Sequence, residues 1–161
     1  MANRRQVLAG VATASTIAVA GCSSVALTGD DPEDVAEQYF TAGKDGDVET
    51  ANEVLHPEAE AYPHEAADFE DEDEFTIESV AEASTREIVE WQIEAFGGSV
   101  DEASEEEIEQ EIDTLEEDAE ETIDEIGADA FAFVMVTIDQ DGEEEVPLQM
   151  VQDDGDWYVL T

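Results

Sequence analysis

Forty-seven aspartates and glutamates stand against four lysines and arginines in this chain of 161 residues, a net charge of −43. Any compact state must survive that self-repulsion, which in dilute buffer opposes folding. High net charge with few aromatics also marks disordered chains. Here, however, 42% of the residues are hydrophobic, and they recur at helical or alternating spacings, so the chain reads as folded. At molar salt the Debye length falls to about 3 Å, and the acids become a hydrated, soluble coat screened by solvent cations. Acid runs therefore describe the solvent and carry little functional information. The same charge disfavours nucleic acid and anionic membrane surfaces as partners.

The bias stops at the N-terminus. Met1 to Ala20 contain no acid; Asn3-Arg4-Arg5-Gln6-Val7-Leu8 opens an uncharged run from Val7 to Ala20, the layout of a signal peptide. The run is shorter than the roughly 20 apolar residues that cross a bilayer core, and Gly10, Thr13, Ser15 and Thr16 dilute it. It ends in Val19-Ala20-Gly21-Cys22, and Ser23 to Asp30 has the composition of a flexible tether. Cys22 is the chain's single cysteine. It is otherwise an ordinary buried thiol or an unexplained free one.

Arg4 and Arg5 resemble a twin-arginine export signal, Val19 to Cys22 resembles the lipobox of bacterial and archaeal lipoproteins, and the acid excess resembles that of extremely halophilic archaea. These resemblances imply a cleaved signal over residues 1–21, a lipid-bearing cysteine and tether over 22–30, and one domain over 31–161 at the outer face of the cytoplasmic membrane. Stable anchoring needs two acyl chains, since one holds only marginally. The mature domain would set 47 acids against Lys44 and Arg86 alone, a charge of −45.

Asp31-Pro32-Glu33-Asp34 predicts a helix start: a carboxylate cap, proline in the first turn, and acids at the positive end of the dipole. Val35, Ala36, Tyr39, Phe40 and Ala42 share its apolar face, and Lys44-Asp45-Gly46 ends it. A second short helix, capped by Asp47, buries Val48, Ala51, Val54 and Leu55 and stops at His56-Pro57. Ala59 to Tyr62 is read as a short strand, Phe69 to Glu74 as an acidic loop, and Phe75 to Val80 as a strand. In residues 84–96, Ser84 with Glu87 has capping-box spacing, whereas Val89, Trp91 and Ile93 alternate; we read a strand. Gly97-Gly98-Ser99 breaks it.

A second capping box, Ser104 with Glu107, opens the clearest helix, whose Ile108, Ile112, Leu115, Ala119, Ile123 and Ile126 form a stripe that packs on a sheet. Ala130 to Ile138 is apolar on both faces, hence a central strand. Asp139 to Gly142 turns into a strand with Val146, Leu148 and Met150 on one face, and Asp153 to Asp156 turns into Trp157-Tyr158-Val159-Leu160. The expected fold is α+β: two N-terminal helices and one long helix packed on a curved, mainly antiparallel sheet.

That order, with Val35 to Ala42 leading through Lys44-Asp45-Gly46-Asp47-Val48-Glu49 to Leu55-His56-Pro57 and a closing Gly155-Asp156-Trp157-Tyr158, resembles the nuclear transport factor 2-like superfamily. The resemblance implies a cone in which the sheet wraps the helices and leaves a pocket at its open end. Ketosteroid isomerases of that superfamily carry an oxyanion-donating tyrosine at the position of Tyr39. Their catalytic aspartate, however, would fall near Pro63, which cannot act as a base.

The remaining chemistry is sparse. Tyr39, His56 and His64 are the catalytic candidates, against the plainer reading of Tyr39 as core with its hydroxyl at the rim and of the histidines as surface residues among acids. His64-Glu65-Ala66-Ala67-Asp68 resembles a zincin pattern with its second histidine replaced, so no metal is assigned. No phosphate cradle or nucleophile elbow occurs, and no cofactor is expected. Tyr39, Tyr62, Trp91 and Trp157 are the pocket candidates, with core packing as the competing role. The sequence favours a lipid-anchored binding or interaction module, taking a small apolar ligand or a protein partner, over an enzyme. The alternatives are an isomerase, dehydratase or cyclase built on Tyr39 with a histidine, and a docking or oligomerisation module using the helix at 104–126.

Overall fold

The structure, a computed structural model, describes residues 31–69 and 75–160. The expected signal with Arg4 and Arg5, Cys22 and the expected tether lie outside these residues, as does the acidic stretch 70–74. No helix among the described residues is long and apolar enough to cross a membrane.

Helix α1 spans Pro32–Asp45 and α2 Val48–Val54, followed by a 3-10 turn at Ala66–Phe69. Strand β1 runs over Thr76–Ala83, α3 over Thr85–Ala95, α4 over Glu105–Ile126, and β2, β3 and β4 over Ala130–Asp139, Glu143–Asp153 and Asp156–Val159. The strands form one antiparallel sheet in the order β1-β2-β3-β4, curled into a half-barrel. The expected α+β class, with helices packed on a curved antiparallel sheet, is the observed one.

Local signals explain most boundaries. Gly46 takes the left-handed conformation at φ 67° and closes α1, its amide donating to the Ala42 and Gly43 carbonyls. The Asp31 carboxylate does not cap α1; Pro32 in the first turn removes one amide that needs a partner. Asp47 caps α2 by accepting from the Thr50 amide at 3.2 Å and the Thr50 hydroxyl at 2.7 Å. Asp154 and Gly155 both have positive φ, as the tight turn between β3 and β4 requires.

Two further sequence expectations fail. Residues 84–96 are helical, because both halves of the Ser84–Glu87 box form: the Glu87 amide donates to Ser84 Oγ, and Glu87 Oε2 accepts from the Ser84 amide at 2.8 Å. Ile88 and Val89, adjacent in sequence, are both buried, which a helix permits and a one-sided strand does not. Ala59 to Tyr62 is not a strand but successive turns, with the Ala59 amide on the His56 carbonyl and the Tyr62 amide on the Ala59 carbonyl. Pro57 and Pro63 flank it and have no amide hydrogen for a ladder.

Register divides the sheet into two faces. Val134, Val136 and Ile138 of β2 pair with Leu148, Val146 and Glu144 of β3 and join Val35, Ala36, Val54 and Leu55 in the inner core under α1 and α2. The opposite face carries Phe133, Met135 and Thr137, facing Ala83, Ala81 and Ser79 of β1. There α3 and α4 provide the cover, with Ile88, Val89, Ile108, Phe133 and Val151 buried. Arg86 ties the two helices together through Glu90 at 3.3 Å and Glu105 at 3.0 Å. Beyond Ile108, the α4 stripe at Ile112, Leu115, Ala119, Ile123 and Ile126 is half-buried.

Ser84→Ala should lower the unfolding free energy by about 1 kcal/mol, read as a reduced thermal midpoint in molar salt. The hydroxyls of Ser84 and Ser104 hold the Glu87 and Glu107 carboxyls below the usual carboxylate range. Their stabilising contribution is therefore complete above the free glutamate value of about 4.3 and fades as pH falls through and below it. A Glu87→Gln/Glu107→Gln double variant should show a shallower loss of midpoint across that window than the parent.

Candidate functional site

Two assemblies contain the residues singled out in the sequence. In the first, Tyr39 reaches from α1 across to the segment after α2. Its hydroxyl lies 2.8 Å from His64 Nε2, and His64 Nδ1 lies 3.5 Å from Asp68 Oδ2. Asp68 Oδ2 also accepts from the Glu65 amide at 2.7 Å, and the Phe69 ring packs 5.0 Å from the His64 ring. The His64 backbone is gripped as well: its amide donates to Asn52 Oδ1 at 2.7 Å, and Asn52 Nδ2 donates to its carbonyl at 3.0 Å. Tyr39, His64 and Asp68 thus form a polar relay, one hydrogen bond followed by a longer imidazole–carboxylate contact, anchored on both N-terminal helices.

His56 does not join it. Its buried ring accepts from the Glu58 amide through Nδ1 at 3.2 Å, and its Nε2 stands 3.8 Å from Asp153 Oδ2. The ring meets Tyr158 edge-on at 5.7 Å, and the His56 amide donates to the Val159 carbonyl at 2.8 Å. His56 fastens the end of α2 to β4. Burial, then Asp156, Asp153 and Asp154, push the Tyr158 phenol above its ordinary value. Neither histidine is the surface residue that the acidic composition suggested.

The second assembly surrounds Trp91. On β1 the outward residues Ser79, Ala81 and Ala83 are all small, which leaves a trough between the sheet and α3. The trough is a groove of about 500 Å³ walled by Trp91 and Val100, floored by Met135 and Thr137, and rimmed by Glu87, Glu90, Glu94 and Glu145. A second groove of about 520 Å³ shares Trp91, Glu94, Thr137 and Glu145 with it. The Trp91 indole donates to the Glu145 carbonyl at 3.1 Å. That bond fixes the ring as the partition between the two grooves.

The other pocket candidates lie elsewhere. Trp157 packs against the inner core, Tyr39 is shared between that core and the relay, and Tyr62 is 42% exposed. A third groove, of about 700 Å³, lies between Ile126 of α4, Gln149 of β3, Leu160 and the acids Glu58 and Glu60. Among the described residues no group of three or more His, Cys, Asp or Glu is placed to hold a metal ion.

Asn52 and the small residues of β1 were not singled out in the sequence. An asparagine within a seven-residue helix offers no local signal of a partner twelve residues on, and small residues reveal a trough only once a helix is laid over them. No protein-family model, curated protein or solved structure matches the chain.

Gln38 on α1 buries its Nε2 with no hydrogen-bond partner among the described residues. An unsatisfied buried donor costs about 1–3 kcal/mol. Gln38→Met, of similar shape and helix propensity, should therefore raise the thermal midpoint in molar salt.

Proposed function

We propose that this chain is a binding module held at the outer face of the membrane by lipid on Cys22, and that its ligand lies in the groove beside Trp91. The groove itself carries the reading. It is a concave space of small-ligand size, with an aromatic wall whose polar edge is already satisfied internally. A ring fixed in this way offers apolar contact at little entropic cost. No basic residue lines the groove among the described residues to pair with an anion, so the ligand is a neutral or cationic molecule with an apolar body. The acid-free leader ending at Cys22, the acid coat and the resemblance to the nuclear transport factor 2-like cone support the same reading, since that fold serves as a frame for pockets.

Domain purified in molar salt should retain a small molecule detectable by mass spectrometry of the denatured protein. Trp91→Ala should lose it while keeping the far-UV circular dichroism of the parent. Retention of the same molecule by the variant would place the ligand elsewhere. Separately, Cys22→Ser should move the protein from the membrane fraction to the soluble fraction, and a variant that still sediments with membranes would sink the anchor.

A further inference from the structure

The segment from Pro57 to Phe69 is fastened to the domain in an unusual way. Leu55 and His56 pair with Val159 at its start. Beyond them only Ala59 is buried in the inner core and only Ala61 packs against it, while Pro57, Glu58, Glu60, Tyr62, Pro63 and Glu65 to Asp68 are exposed. Two methyl groups bury little apolar surface. Far stronger is the polar attachment at His64, where Asn52 of α2 reads both the backbone amide and carbonyl and Tyr39 of α1 takes the ring. One residue of the segment is thus held by side chains from both helices. Beneath lies apolar surface, the edge-on stack of Tyr39, Phe40 and Phe75 at 6.0 Å centroid spacings, joined to the core that includes Ala59.

We propose that residues 57–69 are a strap latched at His64, and that releasing the latch opens the inner face of the cone to a neutral apolar molecule. The physical basis is the separation of roles. The strap's contacts with the core are few and small, so its closed state depends on the Asn52–His64–Tyr39 bonds, and breaking them leaves β2 and β3 intact. Segments with little buried apolar surface open locally at lower free energy than the core. The strap is independent of the Trp91 groove, which lies on the other face of the sheet.

Hydrogen exchange of the folded protein in molar salt tests the latch, with Nile red as a neutral apolar probe. In Asn52→Ala, which removes two hydrogen bonds to His64, amides within 58–69 should exchange about tenfold or more faster. Amides of β2 and β3 should keep their wild-type rates, and Nile red fluorescence should rise. Tyr39→Phe, which removes a single hydroxyl, gives a smaller change in the same direction and serves if Asn52→Ala does not fold. Unchanged strap exchange in a folded variant, acceleration of strap and β2 together, or a faster strap without dye uptake would each overturn the proposal. Dye uptake that persists in Tyr39→Phe/Trp91→Ala supports the strap; its loss there assigns the dye to the Trp91 groove and overturns it.

Discussion

Strand β2 has to be covered on both faces, and the rest of the domain follows from that. Its inner residues Val134, Val136 and Ile138 and its outer Phe133 are all buried. No single layer of helices covers both sides of a strand. The chain places α1 and α2 on one face and, by inserting two helices between β1 and β2, brings α3 and α4 to the other. The order β1-β2-β3-β4 then sets β2 in the interior of the sheet, where its apolar faces are protected and its backbone is paired on both sides.

The charge is accommodated around this core. Acids at Glu87 and Glu107 complete capping boxes, where a carboxylate satisfies backbone amides and meets the positive end of a helix. Lys44 and Arg86, the two basic residues after Cys22, both hold elements together. The Lys44 ammonium sits 6.0 Å over the Phe75 ring, and Arg86 bridges α3 to α4. With so few basic partners within the chain, we propose that solvent cations screen the acids and that molar salt stabilises the fold.

The two candidate sites arise from opposite arrangements. At Trp91, small side chains on β1 leave space that a large aromatic ring partly encloses, so the result is an open groove. At His64, polar groups from α1, α2 and the following segment satisfy one another, so the result is a closed contact. The same relay gives Tyr39 a hydrogen-bond partner and sets a carboxylate beside the His64 ring. Its bonds to Asn52 also make it the point at which that segment is fixed to both helices.

Local patterns determined much of this by themselves. The boundaries of α1, α2 and α4, the two-faced β2, the Asp-Gly turn and the α+β class were legible because caps, left-handed glycines and periodic apolar residues act within a few positions of sequence. Residues 84–96 were misread because Val89, Trp91 and Ile93 alternate by chance on a helix whose capping box was plain at Ser84 and Glu87. Tyr39 and His64 were identifiable as chemistry-bearing residues, but their meeting was not. It depends on the chain between positions 39 and 64 folding back through α2 and two turns, and on Asn52 finding a backbone that has no ladder partner. Only tertiary packing decided that His56 would fasten β4 while His64 would hold a segment to both helices, because each imidazole takes its role from the donors and carboxylates that distant chain brings to it.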